Sequence, residues 1–400
     1  MDLRSGQPFW LMKNGILASY PSLTSDRTCE VVIIGGGITG ALIGNGLARE
    51  SISTILIDKR DVGTGSTAAS TAMLLYGTDV ELVELAEMIG EQDAVLCYRF
   101  GLQAIQTLAE LVSDLGVDCG FTKKPSLYLA SRQSHVAKLT EEYELRRKHK
   151  FVVDFLDADT VNAEYPFGGC AGLLARGDAE IDSLQLTHAL LQDARQRGME
   201  IYDRTTVDRI VPNRTGVTLT TDRGHRIKAR RAVFATGFES QQYLEQKIGT
   251  LHSTFALITE PIEPFPEWPD RCLMWETNRP YYYLRVTEDN RLIVGGGDVP
   301  YATAHRQTSL LKSKSRLLGQ RLEKWFPDTA IEVAYTWAGT FGSSPDGLAR
   351  IGKTKEWPHC YFAVGYGGNG ITLSTIAAEI IRDDYLGKTH PAADLFRFDR

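Results

Sequence analysis

The residues with the clearest chemical potential are a cluster of glycines near the amino terminus. The apolar run "VVII" leads directly into Gly35, Gly37 and Gly40, which match the pattern G-x-G-x-x-G. In that pattern the first glycine allows a tight turn, and the second lets the backbone approach a pyrophosphate. The third lets helix and strand pack closely. The cluster therefore predicts a dinucleotide site at the start of a helix, where unpaired N–H groups favour negative charge.

An acidic residue and two small-residue loops refine this prediction. Asp58 ends the strand predicted in "STILIDK", where its carboxylate can accept a hydrogen bond from a ribose hydroxyl of either NAD or FAD. The stretch "GTGSTAAST" at residues 63–71 favours FAD, because small residues let the backbone pass close to a flavin. The loop "VGYGGNGIT" at residues 364–372 opens another helix, whose N–H groups can face the negative charge of a reduced flavin.

The elements that must position these residues follow a βαβ rhythm at the start, middle and end of the chain. Residues 252–297 instead alternate as antiparallel strands separated by turns. We therefore predict an α/β protein with a discontinuous Rossmann-type FAD-binding domain and a second, α+β substrate domain built on an antiparallel sheet. The predicted FAD-binding domain comprises residues 1–112, 172–250 and 337–400, and the substrate domain comprises residues 113–171 and 251–336.

Composition excludes several other classes of function. The net charge of −6 provides no basic field for nucleic acid or an anionic membrane, and no apolar run is long enough for a signal peptide or a spanning helix. Six cysteines without a C-x-x-C pair indicate reduced thiols, and the histidines show no metal-ligand spacing. We expect a cytoplasmic protein without a metal site; the oligomeric state is not predicted.

The ordered motifs of the chain resemble the D-amino-acid oxidase superfamily of flavoproteins, which includes glycine oxidase, sarcosine oxidase and γ-glutamylputrescine oxidase. The resemblance runs from about Cys29 to the carboxyl terminus. The segments that carry it are "VVIIGGGITG", "GSTAASTAML", "RRAVFATG", "YYYLRVTEDNRLIVGGGD", "WAGTFGSSPDGLARIG" and "VGYGGNGIT".

The resemblance implies an FAD-dependent oxidoreductase that oxidises a C–N bond of an amine or amino acid. Hydride passes to flavin N5, the resulting imine hydrolyses, and oxygen or another acceptor reoxidises the flavin. Two other hypotheses stay open: an NAD-dependent dehydrogenase, and a flavin-bearing binding protein without turnover. Among the branches, the "NG" of the last loop and the "YYYLR" run look most like γ-glutamylputrescine oxidase, which handles an amine.

The motifs and the resemblance together give a set of cofactor residues, including Val207, which the family pattern places against the adenine. FAD should be non-covalent, because the family's tethering cysteine near Gly339 has no counterpart. The predicted cofactor-binding residues are Gly35, Gly37, Ile38, Thr39, Gly40, Asp58, Lys59, Ser66, Thr67, Ala68, Thr71, Met73, Val207, Gly237, Gly339, Gly367, Gly368, Asn369, Gly370, Ile371 and Thr372.

The substrate end departs from the resemblance at three positions. Phe341 and Gly368 stand where glycine oxidase-like members carry arginines for the substrate carboxylate, and Ile293 matches a lysine that promotes the reaction with oxygen. These departures predict an amine substrate rather than a free α-amino acid, and a slow reaction with oxygen.

Strand periodicity suggests which residues replace the missing arginines. In "RPYYYLR", Tyr281, Tyr283 and Arg285 share one face of a strand, so Arg285 either reaches the substrate or pairs with Glu288 or solvent. His252 and Trp275 are weaker candidates for catalytic residues, since a histidine or tryptophan in such a position more often serves in packing. The predicted catalytic residues are Tyr283, Arg285, Phe341 and Tyr366.

Overall fold

The computed structural model describes residues 3–400. Its strands form two sheets, and the helices cover their faces. The strands are β1 Arg4–Gly6, β2 Arg27–Ile34, β3 Thr54–Ile57, β4 Met73–Leu74, β5 Thr122–Ala130, β6 Val153–Asp157, β7 Ala171–Glu180, β8 Glu200–Tyr202, β9 Val207–Pro212, β10 Val217–Thr221, β11 Arg226–Phe234, β12 Thr250–Thr259, β13 Leu273–Glu276, β14 Tyr282–Val286, β15 Leu292–Pro300, β16 Val333–Ser343, β17 Arg350–Lys353 and β18 Cys360–Val364. The α-helices are α1 Phe9–Asn14, α2 Ile38–Arg49, α3 Ser66–Ala69, α4 Leu82–Ile89, α5 Glu91–Leu115, α6 Val136–Lys148, α7 Ala158–Glu164, α8 Ser183–Gln196, α9 Ala304–Trp325, α10 Gly370–Tyr385 and α11 Ala393–Phe396.

The first sheet is of Rossmann type. Strands β18, β11, β2, β3 and β8 run parallel in that order, β17 is antiparallel at the edge, and β9 and β10 extend from β11. The apolar runs of β2 and β3 are buried, as expected for parallel strands covered on both faces. Helix α2 packs between α8 and α10 beside this sheet. This arrangement presents the carboxyl ends of β2 and β3 together at one edge.

The second sheet is mainly antiparallel and has ten strands. Its order is β1-β16-β12-β15-β14-β13-β5-β7-β4, with β6 paired to β7. Helix α9 packs on β12, β15 and β16, and Leu318, Leu322 and Trp325 of α9 belong to a core with the apolar residues of those strands. The predicted fold class, a Rossmann-type part with a second part built on an antiparallel sheet, is confirmed.

Three of the four predicted domain boundaries, 171/172, 250/251 and 336/337, fall inside strands of the second sheet, and the boundary at 112/113 falls inside α5. The boundary at residues 171/172 lies in β7, which pairs with β5, and the boundary at residues 336/337 lies in β16, which pairs with β12. The division into two domains remains a prediction, and these pairings place the whole of β7 and β16 with the antiparallel sheet.

The helical segment of residues 82–115 is divided into two helices, α4 and α5. Gly90 has a φ of 91°, which ends α4 and starts α5 in a new direction. Within residues 3–400 no helix is long and apolar enough to cross a membrane.

Candidate active site

A cavity of about 500 Å³ lies between the two sheets. Ile34 and Ile57, at the carboxyl ends of β2 and β3, line it from the Rossmann-type sheet. Thr254, Tyr283 and Gly339 line it from the antiparallel sheet. Open parallel sheets bind ligands at the carboxyl ends of their strands, so this is the expected place for a dinucleotide.

The glycine cluster has the geometry that its spacing predicts. Gly35 has a φ of 112°, and a side chain there would collide with the carbonyl oxygen of Ala235. A side chain at Gly40 would collide with the carbonyl oxygen of Gly35, so Gly40 acts by letting α2 pack closely on the strand. Gly37 faces the cavity as the N-cap of α2 and leaves room for a ligand beside the backbone.

Two helix amino ends open on the cavity without a side-chain cap. The N-caps of α2 and α10 are Gly37 and Asn369, and neither accepts a side-chain hydrogen bond from its helix. Ile38 and Gly370, the first residues of the two helices, both line the cavity. The N–H of Ile38 donates to the Thr67 hydroxyl at 3.0 Å, and the N–H of Gly368, just before α10, donates to Asp79 at 2.7 Å. The remaining N–H groups and the helix dipoles favour bound anions, which suits a pyrophosphate at one end and a reduced flavin ring at the other.

Asp58 lies at the carboxyl end of β3 and lines the cavity. Its carboxylate accepts hydrogen bonds from the backbone N–H groups of Gly36 and Arg60, both at 2.7 Å, while burial raises its pKa. These bonds fix the carboxylate and leave acceptor capacity for a ribose hydroxyl. The neighbouring Lys59 forms an ion pair with Glu239 at 2.7 Å, so its side chain is held at the rim of the cavity.

Most of the predicted cofactor residues line this one cavity. The exceptions are Gly40, Ala68 and Thr372: Ala68 is fully buried in α3, and the hydroxyl of Thr372 donates to the carbonyl of Leu75 at 3.3 Å. These three are not among the lining residues, and their contact with the cofactor remains a prediction. The residues that line the cavity are Gly35, Gly37, Ile38, Thr39, Asp58, Lys59, Ser66, Thr67, Thr71, Met73, Val207, Gly237, Gly339, Gly367, Gly368, Asn369, Gly370 and Ile371.

Three of the four predicted catalytic residues, Tyr283, Phe341 and Tyr366, line the other end of the cavity. Burial raises the pKa of Tyr283 to about 12, although hydrogen bonds with Thr71 and Thr254 oppose this shift. Burial also raises the pKa of Tyr366. Both phenols are therefore neutral at physiological pH, and this wall presents aromatic rings rather than charge.

The placement of Arg285 differs from both alternatives predicted for it, contact with the substrate and pairing with Glu288 or solvent. Its side chain is 4% exposed and forms an ion pair with Glu180 at 3.1 Å. One guanidinium nitrogen donates to the carbonyl oxygens of Thr71, Ala72 and Ile181 at 2.9–3.0 Å. Strand periodicity predicted the correct face of β14 for Arg285. However, these carbonyl oxygens hold the guanidinium away from the cavity. Arg285 ties the loop after α3 to the second sheet.

The structure places one of the two weaker candidates in the cavity wall and the other behind it. Trp275 lines the cavity and stacks on Tyr128, with ring centroids 3.8 Å apart. His252 lies behind the wall, stacked against Phe341 and hydrogen-bonded to Ser343 at 3.0 Å. Ile293 is buried in β15 opposite Arg285 and is not among the lining residues, so the residue compared with the family's lysine does not face the cavity.

The sequence prediction missed two charged residues at the substrate end, Asp79 and Arg279, which both line the cavity. Asp79 lies between β4 and α4 and accepts a 2.7 Å hydrogen bond from the N–H of Gly368. Arg279 is exposed in the turn before β14, and its guanidinium lies over the ring of Tyr281 at 5.2 Å. Both are in short irregular segments, where no periodicity or motif marks a charged residue as functional.

Comparisons with known proteins agree with this geometry. Residues 30–383 match the sequence model of the FAD dependent oxidoreductase (DAO) family. The putative Rieske 2Fe-2S iron-sulfur protein YhfW of Bacillus subtilis is 26% identical over 384 residues, which cover 95% of this chain and 73% of that protein. The gamma-glutamylputrescine oxidoreductase of Escherichia coli is 24% identical over 387 residues, 92% of this chain and 87% of that protein.

A solved structure shares the fold over nearly the whole chain. The glycine oxidase of Geobacillus kaustophilus superposes with a TM-score of 0.76 at 21% identity, covering 94% of this chain and 99% of that one. The family match confirms FAD as the cofactor and oxidoreductase as the class of enzyme, and it does not support the NAD-dependent alternative. The chain belongs to the FAD-dependent oxidoreductase family typified by D-amino-acid oxidase.

Proposed function

We propose that this enzyme oxidises the C–N bond of an amine, with FAD held non-covalently in the cavity. Bound FAD supplies the acceptor for the hydride that leaves the substrate carbon. The single observation that carries the choice of an amine is the composition of the substrate end. Aromatic rings of Trp275, Tyr281 and Phe341 surround it, and Asp79 adds a carboxylate.

The chain's own residues then have distinct tasks. The backbone around Gly37 and the amino end of α2 bind the pyrophosphate, and Asp58 binds the ribose. The N–H groups at the amino end of α10 that Asp79 does not accept from would favour negative charge on a reduced ring bound there. The buried phenol of Tyr283, fixed by Thr71 and Thr254, orients the substrate and excludes water without exchanging a proton.

The non-covalent state of FAD has its own support and test. None of the described residues that line the cavity is a cysteine. Acid precipitation should therefore release FAD into the supernatant. Yellow colour retained in the washed pellet would overturn this part of the proposal.

A second candidate function, oxidation of an amino acid, is favoured by one observation. Among the described residues, Arg279 has no carboxylate within ion-pair distance, although it lines the cavity. A guanidinium in such a position can bind a substrate carboxylate. If this is its role, Arg279→Met weakens the binding of amino acids and leaves that of simple amines unchanged.

The experiment that tests the proposal is anaerobic bleaching of the purified holoenzyme. Amines, N-methylated amines and D- and L-amino acids are mixed with it in turn, and the flavin absorbance is followed. Amines should bleach the flavin and yield an aldehyde or ketone after hydrolysis. Bleaching by amino acids alone would reject the amine assignment in favour of the second candidate.

The electron acceptor and the location are also proposals. We propose that a quinone or a partner redox protein, rather than oxygen, takes the electrons. A place in the cytoplasm remains a prediction, supported by the six cysteines, which are all unpaired in the structure.

A further inference from the structure

The carboxylate of Asp79 is built into the amino end of α10. Besides the bond from Gly368, its other oxygen lies 3.4 Å from the side-chain amide of Asn369. A side chain at Gly367 would collide with this carboxylate, and a Cβ at Gly368 would lie 2.8 Å from it. The glycines of the loop therefore leave space that Asp79 fills, and the carboxylate faces the cavity from a fixed position.

This carboxylate lacks a partner of opposite charge. Within residues 3–400, no lysine, arginine or histidine lies within 4.0 Å of Asp79. Burial raises its pKa, and Asp298 adds to this effect, while the hydrogen bond from Gly368 and the charge of Arg279 act in the opposite direction. A desolvated carboxylate in this state gains most from a cation delivered by a ligand.

An aromatic ring borders the same space. Tyr281 lines the cavity together with Asp79, and its pKa is raised first by burial and then by the charge of Asp79. The ring already faces one cation, the guanidinium of Arg279 at 5.2 Å. A carboxylate beside an electron-rich ring is a combination that recognises ammonium groups.

We propose that Asp79 binds a second ammonium group of the substrate, so that the enzyme prefers diamines to monoamines. This inference rests on the proposed amine oxidation. The bound group is not the reacting nitrogen, because hydride leaves carbon only when that nitrogen is neutral, and a carboxylate beside it favours the protonated form. Asp79 is thus a residue that determines specificity, and the substrate carries its second cation at a distance from the oxidised bond.

The test compares 1,4-diaminobutane with butylamine, which differ by one terminal amino group. Dissociation constants and limiting rates of anaerobic flavin reduction are measured by stopped flow for the wild type, Asp79→Asn and Asp328→Asn. Asp328 is an exposed residue after α9, so its variant makes the same charge change away from the cavity. The wild type should bind the diamine about tenfold or more tightly, and Asp79→Asn should remove this preference. Asp328→Asn should retain it.

The possible outcomes separate the two proposals. Equal dissociation constants in the wild type, or a preference that survives Asp79→Asn, would overturn the role of Asp79 while amine oxidation stands. If neither amine reduces the flavin but amino acids do, the proposed function fails and this inference fails with it. If Asp79→Asn does not retain FAD, the wild type decides alone: a diamine that binds no more tightly than butylamine overturns the role of Asp79.

Discussion

The two ends of the cavity are built by different means. At the nucleotide end, backbone groups shape the site: Gly35 and Gly40 allow close approach, and the amino end of α2 presents its N–H groups. At the substrate end, side chains from separate strands and turns converge, among them Asp79, Arg279 and Phe341. A backbone site loses its ligand as a whole when a Cβ fills it. A side-chain site instead changes its selectivity one residue at a time.

The largest effect is expected at the nucleotide end. Gly37→Leu should abolish FAD binding, because the new side chain extends from a position that faces the cavity and has Thr67 at 3.0 Å from its Cβ. The measurement is the ratio of flavin to protein absorbance after gel filtration. Gly46→Ala is the matched control, since a Cβ there has no neighbour within 4 Å and alanine favours the helix by up to about 1 kcal/mol. Normal FAD content in Gly37→Leu would show that the cofactor binds elsewhere.

Arg285→Met should chiefly lower stability. It breaks the contacts with Thr71, Ala72 and Ile181 and leaves Glu180 with Lys124 as its remaining ion-pair partner at 3.0 Å. A loss of about 3 kcal/mol in the free energy of unfolding is expected. Denaturant unfolding measures this loss of stability. The selectivity of the holoenzyme for amines over amino acids is measured as well. A change in selectivity at unchanged stability would show that Arg285 acts on the substrate.

Reoxidation of the reduced flavin by oxygen should be slow. Lys59 is the lysine among the described lining residues, and it forms an ion pair with Glu239 at 2.7 Å. Without a cation beside the flavin ring, the negative charge that forms on oxygen is poorly stabilised. Stopped-flow mixing with air-saturated buffer provides the rate. A fast reaction that Arg279→Met slows would identify Arg279 as the assisting cation.

The smallest effect is expected for Tyr283→Phe. Because burial raises the pKa of this phenol to about 12, it stays protonated below about pH 11 and exchanges no proton during turnover. The rate of flavin reduction in the variant should be lower than in the wild type by a factor of less than about ten. Its pH profile should match that of the wild type. A profile that loses one of its limbs in Tyr283→Phe would show that the phenol acts as an acid or base.

The same contrast explains what could be predicted from the sequence. The spacing of Gly35, Gly37 and Gly40 after an apolar run specifies a backbone geometry directly, and Asp58 follows at the end of the next strand. Such a site is local in the chain, so its residues can be predicted from the sequence without any tertiary contact.

The substrate end depends on contacts that spacing does not contain. Arg285 was assigned the correct face of its strand, but the carbonyls that bind it come from residues 71, 72 and 181. Asp79 was missed because its significance comes from the loop at Gly368, far away in the chain. A long charged side chain can bind neighbouring protein groups or reach a ligand. Which of these occurs depends on its neighbours in the folded structure.

The central claim, that this enzyme oxidises amines rather than α-amino acids, has a direct test in a pair of nearly isosteric substrates. Isopropylamine differs from alanine by a methyl group in place of the carboxylate. Limiting rates and dissociation constants of anaerobic flavin reduction are measured for isopropylamine, D-alanine and L-alanine with the same holoenzyme. We predict that isopropylamine reduces the flavin with the higher ratio of rate to dissociation constant. A higher ratio for either alanine would contradict the claim.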